Sequence, residues 1–170
     1  MENIKKPVTI VKATEGKGLG IVGDSYRIVI PGNATGGAYA VIDMLVPPGG
    51  GPGPHAHAGF QESFHVLEGE VEIKTETGTY IAEKGTFVNI PLGGLVHCFK
   101  NKTNKIARLW CVVVPAGLDA FFEEIGEPVA FGTFVPPPPM TPDIMKKLLA
   151  IAEKYGQKIF PPDYLDKKIE

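Results

Sequence analysis

Two glycine-bounded stretches decide the fold of this chain: residues 49–69 read GGGPGPHAHAGFQESFHVLEG, and residues 85–101 read GTFVNIPLGGLVHCFKN. The first stretch contains His55, His57 and Glu62, and the second contains His97. Three neutral imidazole nitrogens and one carboxylate can hold a divalent first-row metal while leaving coordination positions open for a substrate or water. The sequence therefore predicts a metal site that draws on both stretches.

Local spacing indicates how these side chains are arranged. Successive side chains of a strand point to opposite faces, so His55 and His57 are expected on the same face. Glu62 is out of phase with that pair, and a loop or bulge near Gly59 must therefore intervene before all three can point inward. His65 falls on the face opposite to that of Glu62, and we expect it on the outer surface or at an interface.

The distribution of turn residues favours an all-β fold. The chain has 21 Gly and 16 Pro, and they cluster between short β-prone apolar runs. The predicted strands are residues 8–11, 26–30, 39–46, 62–67, 71–75, 80–82, 86–90 and 107–114. Roughly eight to ten short strands at close spacing are typical of an antiparallel barrel or a two-sheet jelly roll.

The last third of the chain has a different pattern. Residues 118–125 are predicted to form a short helix, and Pro136–Pro139 are predicted to form a rigid connector. Thr141 is a predicted N-cap for a second, amphipathic helix, which ends at Gly156. We expect residues 1–135 to form one β-barrel domain and residues 136–170 to form a connector and helix that pack on the barrel or on a second subunit.

Composition limits the classes of partner. The 170 residues suit one domain, and a net charge of -2 with 21% charged residues gives no basic surface for nucleic acid. The two cysteines, Cys98 and Cys111, lack Cys-x-x-Cys spacing, and the N-terminus has no apolar segment typical of a signal peptide. No apolar run approaches the ~20 residues that span a bilayer. We expect reduced thiols, a cytoplasmic location and no membrane partner.

Residues 18–23 read GLGIVG and match the G-x-G-x-x-G string of dinucleotide-binding sites. That string binds pyrophosphate only where it follows a strand and opens a helix. A β-prone run follows it here, so we predict a flexible turn and no nucleotide site.

The two opening stretches resemble the paired motifs of the cupin superfamily, which consists of small metal-binding β-barrels. Residues 49–69 match the first motif at every marked position. Residues 85–101 match the second, except that three residues rather than two separate Gly93 from His97. Residues 35–39 and 121–128 are similar, more loosely, to single-domain cupins of the quercetin dioxygenase type. The resemblance implies a single cupin β-barrel, that is, a double-stranded β-helix or jelly roll, with a C-terminal helical tail.

The resemblance also implies a site. It identifies His55, His57, Glu62 and His97 as ligands of one divalent transition metal, which can be Mn, Fe, Co, Ni, Cu or Zn. It implies a dioxygenase that acts with dioxygen on a small enolic or phenolic, flavonol-like compound, with Glu62 as both ligand and catalytic base. The alternatives are a metal-dependent isomerase or lyase and a non-enzymatic binding protein. A homodimer is expected from the same resemblance.

Apolar residues at strand positions near the ligands are candidates for the substrate pocket. They are Phe60, Phe64, Val66, Phe99 and Trp110. An apolar cavity with one metal suits a planar aromatic or small enolisable compound, and no basic cluster is present to hold a sugar phosphate.

Overall fold

The computed structural model describes residues 7–166, and most of its regular structure is short antiparallel strand. The strands are β1 Lys17–Ile21, β2 Asp24–Ile30, β3 Ala40–Val46, β4 His55–His57, β5 Gln61–Glu68, β6 Glu70–Thr75, β7 Gly78–Glu83, β8 Phe87–Ile90, β9 His97–Lys100, β10 Ala107–Val114, β11 Glu127–Pro128 and β12 Gln157–Ile159. The helices are α1 Leu118–Ile125 and α2 Pro142–Lys154, and short 3-10 turns cover Gly32–Thr35 and Tyr164–Asp166.

The strands form two antiparallel sheets that enclose the core. The seven-stranded sheet has the order β11-β1-β2-β3-β10-β5-β8, and the five-stranded sheet has the order β12-β4-β9-β6-β7. In β10 the side chains of Ala107, Leu109, Cys111 and Val113 are fully buried, and the residues between them are more exposed. This period of two matches strands with one buried face. The predicted all-β barrel with a C-terminal helix is confirmed.

Asn101, the last residue of the second stretch, joins it to the first. Its backbone N–H donates to Gly50 O at 3.0 Å, and Gly49 N–H donates to Asn101 O at 2.8 Å. The Asn101 side chain is fully buried and donates to Val46 O at 2.8 Å. In the same loop Gly51 has a φ of +109°, and a Cβ there would lie 2.2 Å from Phe99 O. Only glycine fits this close approach, so the loop is held against β9.

The N-terminal part differs from one prediction. Residues 18–21 belong to β1, and only Val22 and Gly23, both at positive φ, form the tight turn into β2. The predicted turn is therefore right for these two residues alone, and a strand rather than a helix follows. The predicted strand at residues 8–11 was wrong. Val8 and Ile10 are exposed, and the outer edge of β1 is already paired with β11. Arg27 holds the following segment instead, by donating to the backbone carbonyl oxygens of Lys12 and Glu15.

The C-terminal tail returns to the barrel. The Thr141 side chain accepts from the backbone N–H of Ile144 at 3.3 Å, so it caps α2 as predicted. Tyr155 follows α2, and its ring lies 6.0 Å from the ring of Phe121 in α1. Beyond Gly156, β12 pairs with β4 and so becomes the edge of the five-stranded sheet. Within residues 7–166, neither helix combines the length and the apolar character that a membrane span requires.

A buried ion cluster ties β2, β3 and β10 together. Asp43 is fully buried and accepts from Arg27 Nη2 at 2.6 Å and from Arg108 at 2.8 and 2.9 Å. We expect Asp43→Ala to lower the free energy of unfolding by about 3–5 kcal/mol, because it leaves the buried Arg27 without its counter-charge. Urea denaturation measures the change. Glu72→Gln, which breaks the more exposed pair with Lys102, is the control and should cost no more than about 1 kcal/mol; equal losses in the two variants would contradict the prediction.

Candidate metal centre

Strand pairing places three imidazoles together. β4 lies beside β9, and their register sets His55 opposite His97, with ring centroids 4.3 Å apart. His57 is two residues along β4, and its ring centroid lies 4.8 Å from that of His97. As the alternation in His55-Ala56-His57 predicts, both imidazoles lie on the same side of the sheet, where they contact the ring of His97 in β9.

Glu62 reaches the same place from the other sheet. The chain leaves β4 after His57, and the three residues 58–60 are not part of a strand before β5 begins at Gln61. This break between the two strands changes the alternation of side chains, so Glu62 can point to the same side as His55 and His57, as the sequence requires. Glu62 Oε2 lies 3.2 Å from His57 Nε2 and 3.6 Å from His97 Nε2. His65, in contrast, is exposed on the outer face of β5.

One donor atom from each of His55, His57, Glu62 and His97 lies within 4.8 Å of the others. His57, Glu62 and His97 are buried, and His55 is half-buried. The four side chains could therefore share one cation, which would be open to a ligand on the side of His55.

Backbone carbonyls set the tautomer of each imidazole. His55 Nδ1 lies 3.0 Å from Gly53 O, His57 Nδ1 lies 3.0 Å from Phe60 O, and His97 Nδ1 lies 2.9 Å from Leu95 O. A carbonyl oxygen can only accept, so Nδ1 carries the proton in each ring and Nε2 of the neutral ring presents a lone pair. Ligating histidines are typically oriented in this way, with the second nitrogen donating to a carbonyl or carboxylate.

The centre sets lone pairs and a negatively charged carboxylate against one another with no positive group between them. In neutral imidazoles, the Nε2 lone pairs of His57 and His97 face the Glu62 carboxylate, and His97 Nε2 is buried with no hydrogen-bond partner. Only positive charge between these atoms, an added proton or a cation, turns the contacts into attractive ones. A donor set of three imidazoles and one carboxylate suits a first-row divalent metal. The residues present fit the group that the sequence predicts.

Electrostatics keep His55 and Glu62 in their ligating forms. Burial, with a smaller contribution from nearby His97, lowers the pKa of His55 to about 4, so this ring is neutral near pH 7. Burial alone would raise the pKa of Glu62, but the adjacent imidazole groups of His57 and His97, with a smaller contribution from His55, outweigh burial and hold it well below the usual value. Cys111 Sγ donates to Glu62 Oε1 at 3.5 Å, which leaves Oε2 for the imidazoles. Cys111 is not among the residues that the sequence predicts for this site.

A large cavity opens from the centre. Its volume is about 610 Å³, within the range of roughly 300–1,000 Å³ that is usual for small-molecule sites. His55 and Glu62 line one part of it, and apolar residues of α1 and α2, among them Phe121, Phe122 and Leu148, line another. The cavity therefore lies between the barrel mouth and the two helices.

The residues predicted for the pocket occupy several positions. Phe99 lines the cavity. Phe60 is buried and stacks on the His57 ring at 4.1 Å between centroids, and Phe64 and Val66 are buried in the core. Trp110 is half-buried opposite His65, on the outer face of the large sheet. These four are not among the residues that line the cavity.

Three polar residues of the cavity were not predicted. Asp24 and Tyr26 come from β2, and Gln157 comes from the start of β12. The alternation in Asp24-Ser25-Tyr26 is the only local signal for the first two, and it does not tell which face of the strand meets the cavity. No local signal marks Gln157, because its position depends on the pairing of β12 with β4.

The family model for the cupin domain matches residues 42–114. These residues carry the two histidine-containing stretches and the strands that place them. Residues 42–114 are therefore assigned to a cupin domain. The chain is similar to quercetin 2,3-dioxygenase of Bacillus subtilis (strain 168), with 26% identity over 156 residues. That match covers 90% of this chain and 44% of the relative, so the chain spans less than half the length of that protein.

Solved structures share the fold of this chain. A protein described as a predicted oxalate decarboxylase from Thermotoga maritima has a TM-score of 0.58 and 20% identity, over 63% of this chain and 99% of that one. Ectoine synthase from P. lautus has a TM-score of 0.56 and 20% identity, over 79% of this chain and 99% of that one. At such identities the likeness concerns the fold alone.

Proposed function

We propose that this cupin is a metal-dependent dioxygenase that acts on a small enolic or phenolic, flavonol-like compound. The observation that carries the proposal is the opening of the four-donor centre into a largely apolar cavity of about 610 Å³. A planar apolar molecule with one acidic hydroxyl matches such a site, since its body can be desolvated against Phe99, Phe121 and Phe122 while the hydroxyl reaches the centre. The similarity to quercetin 2,3-dioxygenase supports the same reaction class.

In this proposal His55, His57, Glu62 and His97 hold one divalent transition metal. When bound, a redox-active metal there supplies electron transfer between an enolate and dioxygen, and it lowers the pKa of the substrate hydroxyl. Glu62 Oε2 faces the imidazoles while Cys111 holds Oε1. The Glu62 carboxylate accepts the substrate hydroxyl proton as general base. The apolar walls exclude water from the resulting anion.

The reaction class is tested by oxygen uptake. We expect protein purified without added metal to contain a transition metal by elemental analysis. After reconstitution with each of Mn, Fe, Co, Ni, Cu and Zn, at least one redox-active form should consume oxygen in step with the loss of a flavonol or a small diketone. Turnover without oxygen would instead indicate a metal-dependent isomerase or lyase. Binding without turnover of any compound would indicate a binding protein, and either result would contradict the proposal.

The cytoplasmic location and the homodimer stay predictions. Gel filtration with light scattering tests the second, and a monomer at micromolar concentration would contradict it.

A further inference from the structure

Asp24 is a buried carboxylate whose surroundings differ from those of a structural ion pair. It is 3% exposed and lies where β2 begins, on the wall of the cavity. Oδ2 accepts from the Tyr26 hydroxyl at 2.9 Å, and Oδ1 accepts from the backbone N–H of Gly51 at 3.2 Å. Both donors are neutral. Among residues 7–166, no cationic side chain forms an ion pair with Asp24, whereas the equally buried Asp43 is paired with two arginines.

The two donors do not use the full capacity of this carboxylate. A carboxylate has about four lone-pair positions, and the two hydrogen bonds engage two of them. Burial raises the pKa of Asp24 to about 6, although the bonds from Tyr26 and Gly51 oppose the rise. An ionised group with spare acceptor positions on the wall of an apolar cavity is stabilised by any additional hydrogen-bond donor that enters.

A second polar group in the cavity independently indicates a polar ligand. Gln157 also lines the cavity, it is 8% exposed, and its Nε2 is buried without a hydrogen-bond partner. An unsatisfied buried donor is costly unless a ligand or water supplies an acceptor. Gln157 therefore suits a ligand oxygen, such as that of a carbonyl or hydroxyl group.

We propose that Asp24, oriented by Tyr26, is a specificity-determining residue that accepts a hydrogen bond from a second hydroxyl group of the ligand, distinct from the hydroxyl at the metal centre. The ligand is then a largely apolar compound with at least two hydroxyl groups, one of which is bound by Asp24. This inference rests on the proposed function, because it assumes that the same cavity takes the enolic or phenolic compound. It adds the requirement that the compound be polyhydroxylated.

The test compares two probes on metal-free protein without oxygen, so that no turnover occurs. Quercetin carries several ring hydroxyls besides the one at position 3, and 3-hydroxyflavone carries none of these. Wild-type protein should bind quercetin about tenfold more tightly at pH 7, as expected for one hydrogen bond to a charged group. Asp24→Asn, which keeps the size of the side chain and an acceptor oxygen for Gly51, should remove most of this preference.

Asp119→Asn is the matched control. Asp119 is a buried carboxylate that accepts from the backbone N–H of Gly32 at 2.8 Å and of Gly117 at 3.0 Å, and it is not among the residues that line the cavity. Its substitution should leave the preference unchanged, even if it lowers thermal stability. Far-UV circular dichroism and a thermal melt verify that each variant is folded.

The pH dependence separates ligand binding from a structural role. As the pH falls through about 6, Asp24 is protonated, so the quercetin preference of the wild type should decline, while that of Asp24→Asn should not. The other titratable groups on the cavity wall are Tyr26, His55 and Glu62, and the residues that line it from α1 and α2 are apolar. Because the Tyr26 hydroxyl lowers the pKa of Asp24, Tyr26→Phe should move the decline to higher pH.

The outcomes are distinct from those of the oxygen test. A tenfold preference that Asp24→Asn abolishes supports the inference, even if no metal form consumes oxygen. Equal affinity of the wild type for the two probes, or a preference that survives in Asp24→Asn, would overturn it, even if oxygen uptake is found.

Discussion

Protein with His57→Ala, purified beside the wild type, should contain less than about a tenth of the metal found in the wild type. His57 is 1% exposed, and its Nε2 lies 3.2 Å from Glu62 Oε2. Removal of this donor leaves two imidazoles and a carboxylate. Loss of a residue that only orients a ligand already costs about 10–100-fold in metal affinity, so we expect loss of a ligand itself to cost more than about a hundredfold. Elemental analysis after dialysis against a weak chelator measures this.

His65→Ala is the matched control for this variant. His65 is the one histidine of the four that is not a predicted ligand. It lies on β5 three residues after Glu62, and its side chain is exposed on the outer face. Its substitution should leave the metal content unchanged. Equal metal loss in the two variants would show that the retained metal is not held by the predicted centre.

Glu62→Gln should separate metal binding from chemistry. The amide keeps an oxygen that can accept from Cys111 or ligate a metal, but it cannot take up a proton near neutral pH. We expect the metal affinity to fall by about ten- to hundredfold. At saturating metal, turnover should fall by about 10²–10⁴-fold, the usual contribution of a general base. The measurement is oxygen uptake at matched metal occupancy, with metal content determined on the same samples.

Glu68→Gln, at the end of the same strand and away from the centre, is the control for loss of a carboxylate from β5. It should retain wild-type turnover. Full turnover in metal-loaded Glu62→Gln would show that Glu62 is a ligand without a role as base, and the base would have to be sought elsewhere in the cavity.

Local periodicity was sufficient for the longer strands of the large sheet. The run at residues 107–114 corresponds to β10, whose side chains alternate between buried and more exposed. A β-prone run forms a strand only where an edge is free to pair, and this explains the error at residues 8–11. Those residues are equally apolar, but β1 is already paired with β2 and β11.

The pocket shows the limit of the same reasoning. Strand positions correctly indicate that Phe64 and Val66 are buried. Burial alone, however, does not distinguish a side chain packed in the core from one that lines the cavity. That distinction depends on where α1 and α2 cover the barrel mouth and on the return of β12 to β4. These are contacts between segments roughly 60 to 100 residues apart, for which the local sequence contains no signal.

The sequence alone determined three things: the two histidine-containing stretches, the shared face of His55 and His57, and the need for a break before Glu62. Each of these depends only on neighbouring residues and on the fixed geometry of a strand. Only the tertiary structure decided that Nε2 of His57 and His97 faces the Glu62 carboxylate, and that Asp24 and Gln157 line the cavity. Those contacts arise where separate strands and helices meet, and they depend on sheet register and helix packing rather than on residue order.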